Sequence, residues 1–388
     1  MKWVTAVMAM LVFSLVFVGL VVQASISDFR GRAIAGDPTH FILQQALYFV
    51  AGLICCFVIA AIHPEFWFRR EVAAVVLLGI LVALAVVHVP GLGKATKGAT
   101  RWIVVAGFSL QPSEFAKLMG IMLLAWWHGD PKRRNRSFRE GALVPFIGIG
   151  VMCAGFKLQD DLGSIIMFSA VALPVMLAGG ARLRYIMAFG LVMLVLVSVY
   201  VMQNPERRSR VMSVLAVNSE VKAPTVDDAD LYHVTMSRKA IQHGGLTGAG
   251  YLGSIYKFGF LPENHTDFVF AMLCEEGGFV MAAFCIVLFI ALLWCGMWIS
   301  LRAPTDQMRL LAFGVALYLG LCAAVNMAVV IGILPTKGLA LPFISYGGSS
   351  LVSSMTAVGI LMGVGWRSGG APRRVRAEAA IDRRAWVS

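Results

Sequence analysis

Five titratable side chains stand close together in the segment GFLPENHTDFVFAMLCEE. Glu263, His265 and Asp267 crowd one turn at the mouth of an apolar run, and such crowding can tune the proton affinity of a carboxylate. Asp267 is therefore a candidate general base, although a short polar residue here could also be an N-cap for the next helix. Glu275 and Glu276 lie deeper, where a lone carboxylate costs roughly 2.5–3.5 kcal/mol in a membrane helix. We expect at least one of them to pair with a basic residue on a neighbouring helix.

A second polar group lies in the segment SLQPSEFAKL, which has the features of a helix start. Pro112 suits the first turn, and Glu114 complements the positive end of the helix dipole. Lys117 follows one turn later, so its side chain lies beside that of Glu114. Either the two residues form an internal ion pair that makes a buried lysine tolerable, or Lys117 is a cation held for an anionic headgroup. Both interpretations can hold together.

Three further connections are polar. QDDLGS places Asp160 and Asp161 before a helix, where carboxylates can cap the positive end. LPTKGLALPFISYGGSS is too polar and too rich in Pro and Gly for a simple connector, and it predicts an ordered re-entrant loop in which Lys337, Ser345 and Tyr346 face a wet cavity. GGLTGAGYLGS fits the dinucleotide pattern G-x-G-x-x-G, but no βαβ unit surrounds it. We expect its glycines to fold that loop tightly against the membrane.

The elements that position these residues are membrane spans. The chain has 388 residues, of which 59% are hydrophobic and 14% are charged, and its mean hydropathy is +0.79. Repeated apolar stretches of about 20 residues predict an all-α polytopic integral membrane protein. Ten spans are predicted, near residues 4–22, 42–62, 72–89, 113–127, 142–156, 164–180, 184–202, 268–299, 309–334 and 351–366. The eighth span is longer than a bilayer requires, so we expect it to tilt or to project beyond the membrane.

The distribution of Lys and Arg predicts the orientation of these spans. With both termini inside, every inner connection is basic, PKRRNRSFRE most of all. The polar connections then lie outside, together with a long loop at 203–267 between helices seven and eight. This outer loop is also basic, which indicates either an anionic ligand or simple solvated charge. We expect one transmembrane domain over 1–366 and a basic, disordered cytoplasmic tail over 367–388.

The cysteines and histidines predict neither disulfides nor a dedicated metal site. The seven cysteines lie in apolar runs and are expected to be small hydrophobic side chains of the core. The seven histidines include no pair at the spacing that binds a metal on one helix face.

Taken together, five motifs resemble the SEDS family (shape, elongation, division and sporulation) of bacterial cell-wall proteins. They are KGATRWI, QPSEFAKL, QDDLGS, GGLTGAGYLGSIYKFGFLPENHTDFVFAMLCEEGG and LPTKGLALPFISYGGSS. Their order, spacing and sidedness agree with the family from the first helix through Gly365, and LPTKG is more typical of the division branch than of the elongation branch. The resemblance implies the SEDS fold, with about ten transmembrane helices and an architecture related to that of the membrane GT-C transferases.

The resemblance also implies an activity and partners. SEDS proteins are inverting peptidoglycan glycosyltransferases that polymerise lipid II, an undecaprenyl-pyrophosphate-linked disaccharide pentapeptide, on the outer face of the plasma membrane. They work with a class B penicillin-binding protein, here an FtsI-like one, and with other division proteins. No nucleic-acid partner is expected. The family's essential aspartate falls on Asp267, which would deprotonate the acceptor hydroxyl.

The leaving pyrophosphate needs cations rather than an acid. Arg101, Lys117 and Lys337 are the candidates, with Lys257 and the cluster at 207–210 as a wider basic collar. The predicted substrate site also includes Glu114, Asp161, His265 and Ser345. No cofactor is certain, and a Mg²⁺ or Mn²⁺ ion that bridges the pyrophosphate to Asp161 or Asp267 is left open.

Two positions depart from the family pattern, and other functions compete with the polymerase. Asp160 replaces the usual Pro, and Thr100 stands where a second basic residue often precedes Arg101. The main alternative is a lipid II flippase or another transporter, in which the buried carboxylates would relay protons or hold substrate. A recruiting scaffold and the elongation paralogue are further alternatives. The polar residues cluster on one face and no inverted repeat is visible, which favours an enzyme.

Overall fold

The computed structural model describes residues 1–89, 93–96, 99–105, 108–218, 229–261, 263–335 and 338–368. These residues form thirteen α-helices, one short π-helix at Arg139–Leu143 and one small sheet, so the expected all-α polytopic fold is confirmed. The helices are α1 Lys2–Ala35, α2 His40–Ala61, α3 Pro64–Trp67, α4 Arg70–Val86, α5 Pro112–His128, α6 Val144–Leu158, α7 Leu162–Ala178, α8 Leu183–Gln203, α9 Pro205–Asn218, α10 Ala229–Gly244, α11 Val269–Arg302, α12 Asp306–Val330 and α13 Gly348–Arg367.

All ten predicted spans fall on helices, namely α1, α2, α4 to α8 and α11 to α13. Within the described ranges, seven helices are long and apolar enough to cross a membrane. The helices α4, α5 and α7 have 17 residues each, which is about 26 Å at 1.5 Å per residue and slightly less than a typical hydrocarbon core. The chain is therefore a multi-pass membrane protein.

The helices α5, α7 and α12 pack closely because small residues lie at their contacts. Gly120 of α5 faces Phe168 of α7, and Gly314 of α12 faces Ile121 and Val175. Close approach through small residues is the usual means of helix association in a membrane, where the hydrophobic effect between helices is absent. This packing gives a rigid support for the polar residues at the helix ends.

The overlong eighth span is divided rather than continuous. Helix α11 breaks at Gly278, whose φ of 66° interrupts the helical hydrogen bonds. The amides of Ala249 and Gly250 donate to the carbonyls of Glu275 and Glu276 at 2.8 and 3.0 Å. The glycine-rich loop thus satisfies the backbone groups that the break would leave unpaired, as a buried break requires. The part of α11 that follows the break, residues 279–302, has about the length of a single span.

The same loop folds tightly, as its glycines predicted. Gly248 and Gly250 have φ of 82° and 89°, a left-handed conformation that glycine adopts without steric cost. On the other side of the break, the amide of Phe279 donates to the carbonyl of Gly245 at 2.9 Å. Residues on both sides of the helix break are therefore hydrogen-bonded to one short loop.

Two connections between the spans contain regular structure that was not predicted from the sequence. The first is an antiparallel sheet of three strands, β1 Gly93–Thr96, β2 Ala99–Val105 and β3 Phe108–Leu110, in which Ile103 pairs with both Gly93 and Leu110. The second comprises α9 and α10 within the long loop.

Helix α10 was missed because it is short and polar on one face. Val234 and Ala240 are fully buried, and the Ser237 hydroxyl donates to the carbonyl of Val330 at 2.7 Å. Arg238 donates to the carbonyl of Ile331 at 2.9 Å. These contacts fasten the helix to the C-terminal end of α12, so its stability comes from tertiary packing.

Candidate active site

Asp267 lies in the turn that precedes α11. The helix begins at Val269 with Phe268 as its N-cap residue, so Asp267 does not occupy the N-cap position. The N-cap interpretation of Asp267 is therefore wrong. Its carbonyl accepts a hydrogen bond from the Asn326 amide at 3.0 Å, and its carboxylate lies against Gly338. A Cβ added at Gly338 would lie 3.2 Å from Asp267 Oδ2.

The loop after α12 holds this turn through its backbone. The Ser345 hydroxyl donates to the carbonyl of Thr266 at 2.6 Å, and the Tyr346 amide donates to the carbonyl of His265 at 2.9 Å. Asn326 also donates to the carbonyl of Leu339 at 2.6 Å, so a single side chain joins the turn to the loop. These bonds fix the backbone that carries Asp267.

Two predicted substrate contacts are buried instead. Ser345 is 3% exposed, because its hydroxyl is used within the loop, so it does not face a wet cavity. His265 is also buried, and its ring packs against Phe41 and Tyr346 with centroid distances of 5.6 and 5.7 Å. Both residues contact the Asp267 turn and contribute to its position. Lys337 lies outside the described residues.

Gly338 also lines a cavity of about 240 Å³. Its polar lining is formed by Arg101, Asp160, Asp161, Arg207 and Arg210, and its apolar lining includes Ile166, Val197 and Val201. Because Gly338 lines the cavity and also contacts the Asp267 carboxylate, the cavity approaches that carboxylate closely. It combines cations with an apolar wall, as an anionic ligand with a lipid tail would require.

The arginines are held by the turn between α6 and α7. Arg101, on β2, donates from Nε to the carbonyl of Gln159 at 3.0 Å and from Nη2 to the carbonyl of Asp160 at 2.6 Å. Arg207, on α9, has its Nη2 3.5 Å from Asp160 Oδ1. One turn therefore positions two cations from different elements at the same cavity.

Asp161 caps α7, as its place before the helix predicted. Its Oδ1 accepts from the Ser164 amide at 3.0 Å, and its Oδ2 accepts from the hydroxyls of Ser164 and Ser113 at 2.7 and 3.0 Å. Burial alone would raise the pKa of the Asp161 carboxyl, but nearby Lys117 and Arg101 outweigh it and hold that pKa below its ordinary value. The residue is therefore a fixed negative charge.

Glu114 and Lys117 form the internal ion pair that the sequence predicted. Lys117 is 1% exposed, and its Nζ lies 2.7 Å from Glu114 Oε1. The Tyr318 hydroxyl donates to Glu114 Oε2 at 3.0 Å. Lys117 is not among the described residues that line the cavity, but its positive charge lowers the pKa of Asp161, which does line it. We call Glu114, Lys117 and Asp161 the cavity cluster.

Lys257 belongs to a different group. Its Nζ lies 3.3 Å from Glu276 Oε1 and 3.0 Å from the Ser25 hydroxyl. Glu275 is fully buried, and its Oε1 lies 3.0 Å from His243 Nδ1. The expected pairing of these glutamates is confirmed, although the lysine comes from the long loop. We call His243, Lys257, Glu275 and Glu276 the loop cluster.

The donors around Asp161 fit a structural cap better than a metal site. Both of its oxygens accept hydrogen bonds, and cations lie beside it. Among the residues that the structure describes, no three His, Cys, Asp or Glu side chains come together as a metal site would need.

Three residues that shape the site were not predicted from the sequence. Tyr318 and Asn326 lie inside the ninth span, and Gly338 follows it. A polar residue such as Asn326 within an apolar run is itself a signal, because an unpaired amide in a membrane is costly. The role of Gly338 had no local signal.

Comparison with known proteins identifies the family. The sequence profile described as "Cell cycle protein" (FtsW, RodA and SpoVE) matches residues 5–368. The chain belongs to the FtsW/RodA/SpoVE family. It is 37% identical to a probable peptidoglycan glycosyltransferase FtsW of Geobacter metallireducens, over 94% of this chain and 96% of the relative. It is 34% identical to the stage V sporulation protein E of Bacillus subtilis, over 90% and 93% of the two chains.

Solved structures of the FtsW/RodA/SpoVE family share the fold. A chain from a structure on the coordination of polymerization and crosslinking by a peptidoglycan synthase complex superposes with a TM-score of 0.75, at 27% identity, over 94% of this chain and 98% of that chain. The rod shape determining protein RodA of Thermus thermophilus superposes with a TM-score of 0.67, at 24% identity, over 94% and 97%. The latter likeness concerns the fold alone.

Proposed function

We propose that the chain is an inverting peptidoglycan glycosyltransferase that polymerises lipid II into glycan strands. One observation carries the proposal: a cavity lined by Arg101, Arg207 and Arg210 approaches the Asp267 carboxylate through Gly338. The reaction requires cations that stabilise an anionic leaving group and a carboxylate that deprotonates the acceptor hydroxyl. The names of the relatives support the same activity.

In the proposed reaction, the Asp267 carboxylate removes the proton from the acceptor hydroxyl. The hydroxyl oxygen forms a bond to the anomeric carbon of the donor from the face opposite the pyrophosphate. The bond between that carbon and the pyrophosphate oxygen breaks, and the leaving group takes its electron pair. The arginines of the cavity stabilise the added negative charge, which supplies the part that an acid would otherwise have. The apolar wall at Val197 and Val201 accommodates the start of the lipid tail.

The decisive experiment adds a methyl group at Gly338, which lines the cavity and lies close to the Asp267 carboxylate. In Gly338→Ala, the new methyl lies 3.2 Å from Asp267 Oδ2, so we expect purified protein given lipid II to form less polymer. Gly148→Ala on α6 is the matched control, because a Cβ there meets nothing within 4 Å. Normal polymer from Gly338→Ala would overturn the assignment of this site. Lipid II transfer between leaflets without polymer from the unchanged protein would overturn the proposal in favour of a flippase.

We further propose that the protein acts in septal wall synthesis with an FtsI-like class B penicillin-binding protein and other division proteins. The FtsW names among the relatives and the structural likeness to a chain of a peptidoglycan synthase complex support this partner. Co-purification with the division-specific and the elongation-specific penicillin-binding proteins tests it. Exclusive association with the elongation protein would assign the chain to the other branch.

The proposed orientation places both termini in the cytoplasm and the cavity outside. It rests on the basic inner connections. Single cysteines at Ser137 and Ser368 should react with an impermeant reagent only from the cytoplasm, and one at Ser209 only from outside. Labelling of Ser137 and Ser209 from the same side would exclude this arrangement.

We propose that side-chain cations, rather than a metal held by the protein, stabilise the pyrophosphate. Dialysis against a chelator should then leave polymerisation at half or more of its original rate. Loss of polymer that returns with Mg²⁺ or Mn²⁺ would instead assign a divalent cation to the bound substrate.

A further inference from the structure

Two basic connections meet at the ends of α5 and α7 that lie away from the cavity. Both helices begin beside Asp161 and end near Asn135. The Asn135 amide donates to the carbonyls of His128 and Gly179 at 2.6 and 2.8 Å, and thereby ties the connection after α5 to that after α7. Phe138 and Tyr185 join the same two connections, with ring centroids 5.4 Å apart.

This joint surface is strongly cationic. Its exposed cations, which we call the basic surface, are Lys132, Arg134, Arg136, Arg139, Arg182 and Arg184. The nearby acids are engaged locally: Asp130 lies 3.9 Å from Arg133, and Glu140 accepts from the Arg134 amide at 2.6 Å. In the part of the chain that the structure describes, no salt bridge involves a member of the basic surface.

Apolar and aromatic side chains border these cations. Phe138, in the connection after α5, is 56% exposed, and Leu183 and Met187 of α8 are 57% and 65% exposed. The Arg184 guanidinium lies 4.8 Å from the Tyr185 ring, and the Arg133 guanidinium lies 3.4 Å from the Trp127 ring. Aromatic rings with adjacent cations are typical of the boundary between hydrocarbon and headgroups.

We propose that the basic surface is a binding site for acidic phospholipid headgroups. The phosphodiester of such a lipid would contact Arg136 and Arg139 from one connection and Arg182 from the other, with its acyl chains along Phe138 and Leu183. A zwitterionic lipid has the same phosphate but brings a compensating cation, so it should bind less well. Orientation alone requires basic residues in each connection and does not require the two connections to be fastened together.

The site is tested by lipid binding rather than by activity, so its failure is distinguishable from failure of the proposed function. Purified full-length protein in detergent is titrated with phosphatidylglycerol or phosphatidylcholine, and bound lipid is counted by native mass spectrometry. We expect preferential binding of phosphatidylglycerol that weakens as salt is raised. In R136Q/R182Q, the affinity for phosphatidylglycerol should fall about thirtyfold, on the order of fivefold for each cation near a headgroup.

The matched control is R70Q/K239Q, which removes two exposed cations that lie outside the basic surface. Its lipid binding should equal that of the unchanged protein. The proposal is overturned if both lipids bind equally, or if R136Q/R182Q binds phosphatidylglycerol as tightly as the control. A normal thermal unfolding curve for R136Q/R182Q, expected because both side chains are exposed, excludes loss of folding as the cause.

Discussion

The cavity cluster and the loop cluster contain the same kinds of side chain in similarly buried settings. Each has a lysine with almost no exposure, Lys117 at 1% and Lys257 at 4%, that pairs with a glutamate. Both clusters offset the cost of charge in an apolar region by internal pairing. Burial and pairing alone therefore do not distinguish a functional group from a structural one.

Their surroundings differ. The cavity cluster ends at Asp161, beside a cavity that also contains arginines. In the loop cluster, Glu275 instead accepts hydrogen bonds from the Ile255 amide at 2.7 Å and the Ser254 hydroxyl at 2.5 Å, next to the break at Gly278. The first cluster can influence a ligand, whereas the second holds a loop against a broken helix. Adjacency to a cavity, rather than buried charge, separates the two roles.

The largest expected effect is that of Asp267→Asn. The change keeps the size of the side chain but removes the base, which typically contributes 10²–10⁴-fold to the rate. We expect a folded protein that still binds the proposed penicillin-binding partner. Its yield of polymer from lipid II should fall by about a hundredfold or more. Near-normal polymer would place the chemistry elsewhere.

Lys117→Met and Lys257→Met compare the two clusters directly. Removal of Lys117 leaves Glu114 without its paired cation and leaves Asp161 with Arg101 but not Lys117 beside it. We expect polymerisation per folded molecule to fall at least about tenfold, as for a lost charge-assisted contact. Lys257→Met should reduce stability but leave the activity per folded molecule near normal. Polymer is measured on gels after normalising to folded protein. Equal losses of specific activity in both variants would erase the distinction between the clusters.

Glu275→Gln tests the structural role of the loop cluster. The amide keeps the shape of the side chain but weakens the charge-assisted bonds to Ser254 and Ile255, which should lower the free energy of unfolding by about 1–3 kcal/mol. Thermal unfolding in detergent measures the loss. If polymerisation failed while stability remained unchanged, the loop cluster would have a direct part in function.

The smallest effect is expected for Asp160→Asn. Burial would slightly raise the pKa of Asp160, but hydrogen bonds from Lys157 and Tyr200 lower it below the ordinary value. The contribution to stability is therefore present above an ordinary Asp pKa of about 3.9 and disappears as the pH falls through the lower folded pKa. Because Asp160 is half exposed, we expect less than about 1 kcal/mol at pH 7, and less in high salt. A large loss of polymer would show that the position of Arg207 depends on Asp160.

The sequence alone determined the membrane spans and the family. Span length and apolar composition are local properties, so all ten predicted spans lie on helices. Capping by Asp161 and pairing of Glu114 with Lys117 were also predictable, because each involves residues within one turn.

Only the tertiary structure decided which distant residues meet. The loop at Ala249 and Gly250 is hydrogen-bonded to the helix break, which follows it in the chain by about thirty residues. At this distance, local sequence patterns do not indicate which residues pair. Lys257 was expected near the substrate but pairs with Glu276. The residue type alone does not distinguish it from Lys117. Gly338 lies close to the Asp267 carboxylate and also lines the cavity, a position that depends on where the folded loop returns. The reason is physical: contacts between distant segments are set by packing of the whole fold.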